Sequence, residues 1–263
     1  MTQQLAAPDA GLNPAATNAL AELLLTLADD EFVVGFWDSE WTGIGPMLEE
    51  DVAFSSIAQD ELGHARAFYE LLASLTGRTA DEIAFGRQPD AYRHARLLDH
   101  PRTDWAFSVA RRYLYDTADA VRLEALAAST YQPLADLVAK IRREERYHLM
   151  HVDIWLRRLA MLRTDPRTRL QTALNALWPD AATVFTPLAG EGTLTDAGII
   201  SVPMSDLQAR WVDRLNAVFS ELEVSMPALE APTLEGRTGH SDDFRWLWGE
   251  FTSVYRSQPG ATW

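Results

Sequence analysis

The stretch AQDELGHA, residues 58–65, sets Glu61 and His64 three residues apart inside a segment whose apolar positions are spaced for a helix. Around it Phe54, Ile57, Glu61, His64, Phe68, Leu71 and Leu75 step by 3, 4, 3, 4, 3 and 4, so the acid and the imidazole fall in the stripe that the helix buries. A carboxylate placed there costs several kcal/mol unless a cation or a proton meets it. Residues three apart share one side of a helix, so Glu-x-x-His can turn both groups toward a common ion.

One such pair is weak evidence, but a second occurs in REERYHLM, residues 143–150. Here Leu134, Leu137, Ile141, Glu145, His148, Val152, Trp155 and Leu159 form another buried stripe. Each motif is preceded by a helical segment with an acid at a matching distance: Glu31 lies 30 residues before Glu61, and Asp116 lies 29 before Glu145. Leu20, Leu24, Leu27, Val34 and Trp41 share a stripe with Glu31 and Asp38, and Val109, Leu123 and Leu126 share one with Asp116. The acids are related by a shift of 85 and the motifs by 84, the pattern of a duplicated helix hairpin. Four helices then project Glu31, Glu61, His64, Asp116, Glu145 and His148 toward one bundle centre, the ligand set of ferritin-like carboxylate proteins holding two irons or two manganese ions.

Working outward, helices are expected over about 15–42, 47–76, 104–128, 133–164, 166–182, 204–224 and 241–257. TGIGP at 42–46 makes a short turn, so the first two helices are antiparallel neighbours. The crossover 77–103 is long enough to span the bundle, with a short helix near 91–98. No strand-like alternation competes. The expected fold is all-α: a ferritin-like four-helix bundle made of two hairpins and a long crossover, with additional C-terminal helices. Residues 1–14 are expected to be flexible. Residues 15–263 then form one domain, with its bundle core at about 15–164 and the C-terminal helices and tail at about 165–263.

The chain has 263 residues, a formal net charge of −15 and no cysteine. Thiolate zinc sites, iron–sulfur clusters, disulfides and a thiol nucleophile are excluded, which leaves carboxylate and imidazole as metal ligands. The acidic balance argues against nucleic acid as a partner. The absence of a long apolar run or a secretory pattern argues against a membrane and for the cytoplasm. A metal-free alternative stays open, in which Arg112, Arg122, Arg142 and Arg146 neutralise the buried acids. His94 and His100, in the polar crossover, are expected to be solvated, and His151 to hydrogen-bond at the core edge. Trp37, Trp41, Trp155, Trp246 and Trp248 are expected to be packing anchors. The acids at 49–51 suit the first turn of their helix.

Four stretches carry a family resemblance: SEWTGIGPMLEEDVAFSSIAQDELGHAR (39–66), RYLYDTADAVRLEAL (112–126), EERYHLMHVDIWLRRL (144–159) and GRTGHSDDFRWLWGEFTSVYRSQPGATW (236–263). Together they resemble the phenylacetyl-CoA epoxidase family of ferritin-like proteins, in particular its PaaC-type structural subunit. The resemblance implies a component of a multicomponent monooxygenase in phenylacetate degradation. In that complex a catalytic ferritin-like partner epoxidises the ring with a di-iron centre, O2 and reductase electrons. Implied partners are that catalytic chain, a small subunit and the reductase, with a homodimer as the form expected in isolation. In many structural subunits Gln replaces the first-motif His and a small residue replaces the second-motif Glu. Here Glu31, Glu61, His64, Glu145 and His148 all stand at ligand positions, so a retained iron site is expected, with manganese second and a metal-free scaffold as the alternative. The competing function is that the chain is itself a catalytic di-iron oxygenase or oxidase. Iron storage fits the C-terminal helices and tail poorly.

Overall fold

The computed structural model describes residues 11–258 apart from Arg163, Pro227 and Leu234. Residues 1–10, most of the segment expected to be flexible, and the terminal PGATW lie outside the described residues. Ten α-helices occur in the described chain, with no strand among the described residues.

The bundle is built from α1 (Pro14–Ser39), α2 (Leu48–Thr76), α4 (Trp105–Leu126) and α5 (Gln132–Met161). Local chemistry sets their ends. The Asn13 side chain accepts the Ala16 N–H at 2.9 Å and Pro14 opens α1, while Gly77, at φ +71°, closes α2 in a left-handed conformation. Asp104 caps α4 through the Phe107 N–H at 2.9 Å. The crossover departs from expectation. In place of a helix over 91–98 it holds α3 (Ala80–Phe85) and 3-10 turns at Pro89–Ala91 and Arg96–Asp99. Thr79 and Glu82 form a reciprocal capping box that starts α3 a turn after α2 ends.

Behind the bundle lie α6 (Asp165–Ala181), α7 (Glu191–Asp196), α8 (Met204–Glu221), α9 (Asp242–Phe251) and α10 (Ser253–Ser257). The expected final helix thus divides at Thr252. The packing is layered: α1 and α4 are covered on one side by α2 and α5, and on the other by α6, α7, α8 and α9. Consequently α1 and α4 are buried almost all round, whereas α2 and α5 bury one face each. Trp37 Nε1 donates to the Leu98 carbonyl at 2.9 Å, and Trp41 Nε1 to Ser108 Oγ at 3.0 Å, in keeping with packing roles.

Burying α1 and α4 on both sides also buries their charges, and these are paired. Asp30 meets Arg122 at 2.5 Å and Arg237 at 2.9 Å, which ties α1 to α4 and to the loop before α9. Asp29 meets Arg87 from the crossover and accepts the Tyr69 O–H, both at 2.5 Å. His94, expected to be solvated, is fully buried; it stacks on His240 and bonds Asp99 at 2.6 Å because the C-terminal segment folds over the crossover. His100 is only partly covered and lies 2.9 Å from Asp180. Arg142 and Arg146 are exposed and take no part in the buried network, while Arg112 and Arg122 do. No helix among the described residues is long and apolar enough to cross a membrane.

Replacing Asp30 by Asn keeps the shape but leaves two buried guanidiniums without their shared charge. A loss of about 3 kcal/mol of folding stability is expected in chemical denaturation; an unchanged midpoint would contradict the role of this tie.

Candidate metal centre

At mid-height of the bundle α1 contributes Glu31, α2 Glu61 and His64, α4 Asp116, and α5 Glu145 and His148. All six are buried. Glu31, Glu61, His64 and Glu145 each offer one ligand atom, and these atoms all lie within 4.8 Å of one another. His64 Nδ1 is 3.2 Å from Glu145 Oε1, 3.6 Å from Glu31 Oε2 and 3.8 Å from Glu61 Oε2. Glu31 Oε2, Glu61 Oε2 and His64 Nδ1 have no hydrogen-bond partner. Buried polar atoms are nearly always paired, so three unpaired ones facing each other mark a place suited to a cation. A first-row ion with ligands at about 2.0–2.2 Å spaces adjacent ligand atoms roughly 3 Å apart, close to the separations here. Gly35 permits the approach of α1 to α2 at this level, since a Cβ there would meet Glu61 Cβ at 3.0 Å.

His148 lies on the other side of Glu61. Its Nδ1 is 3.1 Å from Glu145 Oε1 and 3.2 Å from Glu61 Oε1. The two imidazoles are braced from outside in a crossed manner: His64 Nε2 is 2.7 Å from Glu144 Oε2, and His148 Nε2 is 3.3 Å from Asp60 Oδ2. An outer carboxylate on one ring nitrogen, with the other nitrogen turned inward, is the support that metal-ligating histidines use to set ring orientation and basicity. Sequence reasoning passed over both braces. The signal was present, because each motif has an acid directly before its Glu, Asp60 in one and Glu144 in the other.

Asp116 is placed differently. It is buried beside the cage but ion-paired to Arg112, Oδ1 to Nη2 at 2.9 Å, and stands outside the four-residue group. Arg112 Nη1 also donates to Glu61 Oε1 at 2.5 Å and lies 3.3 Å from Asp38, which in turn meets Arg111 at 3.2 Å. Tyr115 donates its O–H to Glu31 Oε1 at 2.9 Å.

Protons do part of the neutralising in this arrangement. Burial works against a charged His64, but Glu145, Glu31 and Glu61 outweigh it and hold the ring protonated far above neutral pH. His148 is pushed up to about 11, its burial outweighed by Glu145 and Glu61. Burial, then the Glu61 charge, raises Glu31 well above the usual carboxylate range. Glu61 is held well below that range by Arg112 against its burial. Burial raises Asp116, with Arg112 opposing.

A second group joins His94, Asp99 and His240. Asp99 Oδ1 meets His94 Nε2 at 2.6 Å and His240 Nδ1 at 2.9 Å, and Oδ2 accepts the Ser241 N–H at 2.7 Å. Both oxygens are taken, and Ser241 is the N-cap of α9, so the group ties the C-terminal helix to the crossover.

A family model described as phenylacetic acid catabolic protein matches residues 1–263. The chain is 31% identical over 248 residues to the C subunit of the 1,2-phenylacetyl-CoA epoxidase of Escherichia coli (strain K12), covering 94% of this chain and all of that protein. It is 26% identical over 160 residues to the A subunit of the same organism's enzyme, covering 61% of this chain and 52% of that relative.

For either imidazole to become a ligand it must shed its proton, so loading with a divalent cation should release protons. Titration calorimetry near pH 7, in buffers of different ionisation enthalpy, is expected to register about one proton or more per ion. Affinity should fall as pH is lowered, because His64 and His148 are then held more firmly in their protonated forms. Binding without proton release would contradict the protonated cage.

Proposed function

The chain belongs to the phenylacetic acid catabolic protein family, and from that premise we propose that it is the structural component, of the C-subunit type, of a multicomponent oxygenase that epoxidises phenylacetyl-CoA. The observation that carries this reading is the 31% identity to the C subunit of the Escherichia coli enzyme along that protein's whole length. The partner is a second ferritin-like chain, of the A-subunit type, in which the ring chemistry takes place; a small subunit and a reductase complete the complex. The chain works in the cytoplasm, as one domain built on the four-helix bundle.

The surface supports a partner. On α5 Tyr147, Met150, Ile154 and Met161 are 69%, 55%, 52% and 68% exposed, spaced 3, 4 and 7, on the side opposite the buried Glu145, His148, Val152 and Leu159. On α2 Leu48 and Val52 are likewise exposed, 75% and 59%, opposite Phe54 and Glu61. The two outer stripes meet at one end of the bundle, where His151 of α5 bonds Glu50 of α2 at 2.7 Å. Exposed apolar stripes of this kind mark interaction surfaces, and this layer is the one that the C-terminal helices leave uncovered.

In the same reading Glu31, Glu61, His64, Glu145 and His148 form a retained cation site, with iron as the first candidate and manganese the second. An iron bound there would supply Lewis acidity and one-electron redox capacity. The chain's own part is to hold the carboxylates in the core, brace the imidazoles through Glu144 and Asp60, and take up or give back the protons that balance the ion. This cage is also what favours a second reading, that the chain is itself a di-iron oxygenase or oxidase.

Co-expression with a partner of the A-subunit type tests the first reading. The pair is expected to co-purify, and M150E together with I154E should weaken association about tenfold or more while leaving the helical circular dichroism unchanged. An unaffected pair would remove α5 from the interface. If the isolated iron-loaded chain turned over phenylacetyl-CoA with a reductase, the second reading would replace the first.

A further inference from the structure

The two halves of the duplicated bundle are not equivalent at the centre. Four residues before Glu31 on α1 stands Leu27, a buried apolar residue. Four residues before Asp116 on α4, at the position related by the same shift of 85, stands Arg112. The second half thus has a shorter carboxylate and, one turn before it, a guanidinium in place of a leucine.

We infer that the cage takes one divalent cation per chain, between Glu31, Glu61, His64 and Glu145, and that the guanidinium of Arg112 stands where a second ion would sit. The inference rests on the reading of the cage as a cation site and narrows it.

Glu61 decides the matter, because its two oxygens face different ways. Oε2 is without a hydrogen-bond partner and faces His64 and Glu31. Oε1 accepts from Arg112 Nη1 at 2.5 Å and lies 3.2 Å from His148 Nδ1. A second ion beside His148 would draw on the far oxygen of Glu61, on Asp116 and on Glu145. Arg112 already spans the first two, Nη1 on Glu61 and Nη2 on Asp116.

This guanidinium cannot leave by losing a proton, and its side chain is 1% exposed. Asp38, 3.3 Å from Nη1, holds it from a third direction. A dication in the His148 half would face a fixed positive charge across one carboxylate group. Atoms without a hydrogen-bond partner occur in both halves, Asp116 Oδ1 and Oδ2 in one and Glu31 Oε2, Glu61 Oε2 and His64 Nδ1 in the other; the difference is that in the first a guanidinium already lies against them, Arg112 Nη2 at 2.9 Å from Asp116 Oδ1.

Manganese(II) provides a test that needs no activity, using the full-length chain as purified, stripped and reloaded. Elemental analysis is expected to find one Mn per chain, and electron paramagnetic resonance the six-line spectrum of an isolated ion. Two ions with an exchange-coupled spectrum would overturn the inference while leaving the cation site standing. Retention of no more than trace metal would overturn the cation site itself. Glu31→Gln should weaken binding about tenfold or more, and Asp116→Asn should leave the single ion in place; equal losses in the two variants would overturn the assignment. Arg112→Leu, which installs the residue of the first half, is expected to raise the stoichiometry toward two. Should that variant not fold, the wild-type count and the Glu31 and Asp116 variants decide alone.

Discussion

The carboxylate of Glu61 is the point on which the bundle turns. It is fully buried on α2, and contacts from the other three bundle helices reach it: Gly35 of α1 against its Cβ, Arg112 of α4 on one oxygen, and His148 of α5 on the same oxygen. A carboxylate so placed must be balanced within the core, since water cannot reach it. The balance sets much else: the protonated imidazoles, the outer braces from Glu144 and Asp60, and Arg112 with its further partners Asp116 and Asp38. Charges removed from water help to fix the axial register of the four helices, because a shift of one turn would leave them unpaired.

The same demand explains the layering. With α1 and α4 enclosed on both sides, their acids Asp29, Asp30 and Asp38 need arginines from distant segments, and they find them in Arg87 of the crossover, Arg122 and Arg111 of α4, and Arg237 before α9. The C-terminal helices are therefore held to the bundle by ion pairs as well as by apolar contact. They cover α1 and α4 and leave the outer faces of α2 and α5 bare, and these are the faces with leucine, valine, methionine and isoleucine exposed.

Much of this could be read from the sequence, because the signals were local and repeated. The 3,4 stripes around Glu61 and Glu145 locate α2 and α5 to within three residues, and the shift of 84 and 85 brings Glu31 opposite them. What escaped depends on distant neighbours. His94 lies in a polar stretch, and nothing near it in sequence shows that His240, 146 positions later, stacks on it. Asp116 occupies a ligand position by spacing, yet an arginine one turn away on its own helix holds it, and only the geometry separates that pair from a metal ligand. The 3-10 turns of the crossover, unlike a helix, follow from contacts with the C-terminal segment, such as Arg96 N–H to the Gly236 carbonyl at 3.1 Å.

As proposed above, the four helices meet around one cation and one internal guanidinium. Anomalous diffraction from crystals of the manganese- or iron-loaded chain, collected above and below the metal edge, tests it most directly. A single anomalous peak is expected, bounded by Glu31, Glu61, His64 and Glu145, with the side chain of Arg112 still between Glu61 and Asp116. Two peaks flanking Glu61, with Arg112 displaced, would contradict it, as would loaded crystals with no peak in the cage.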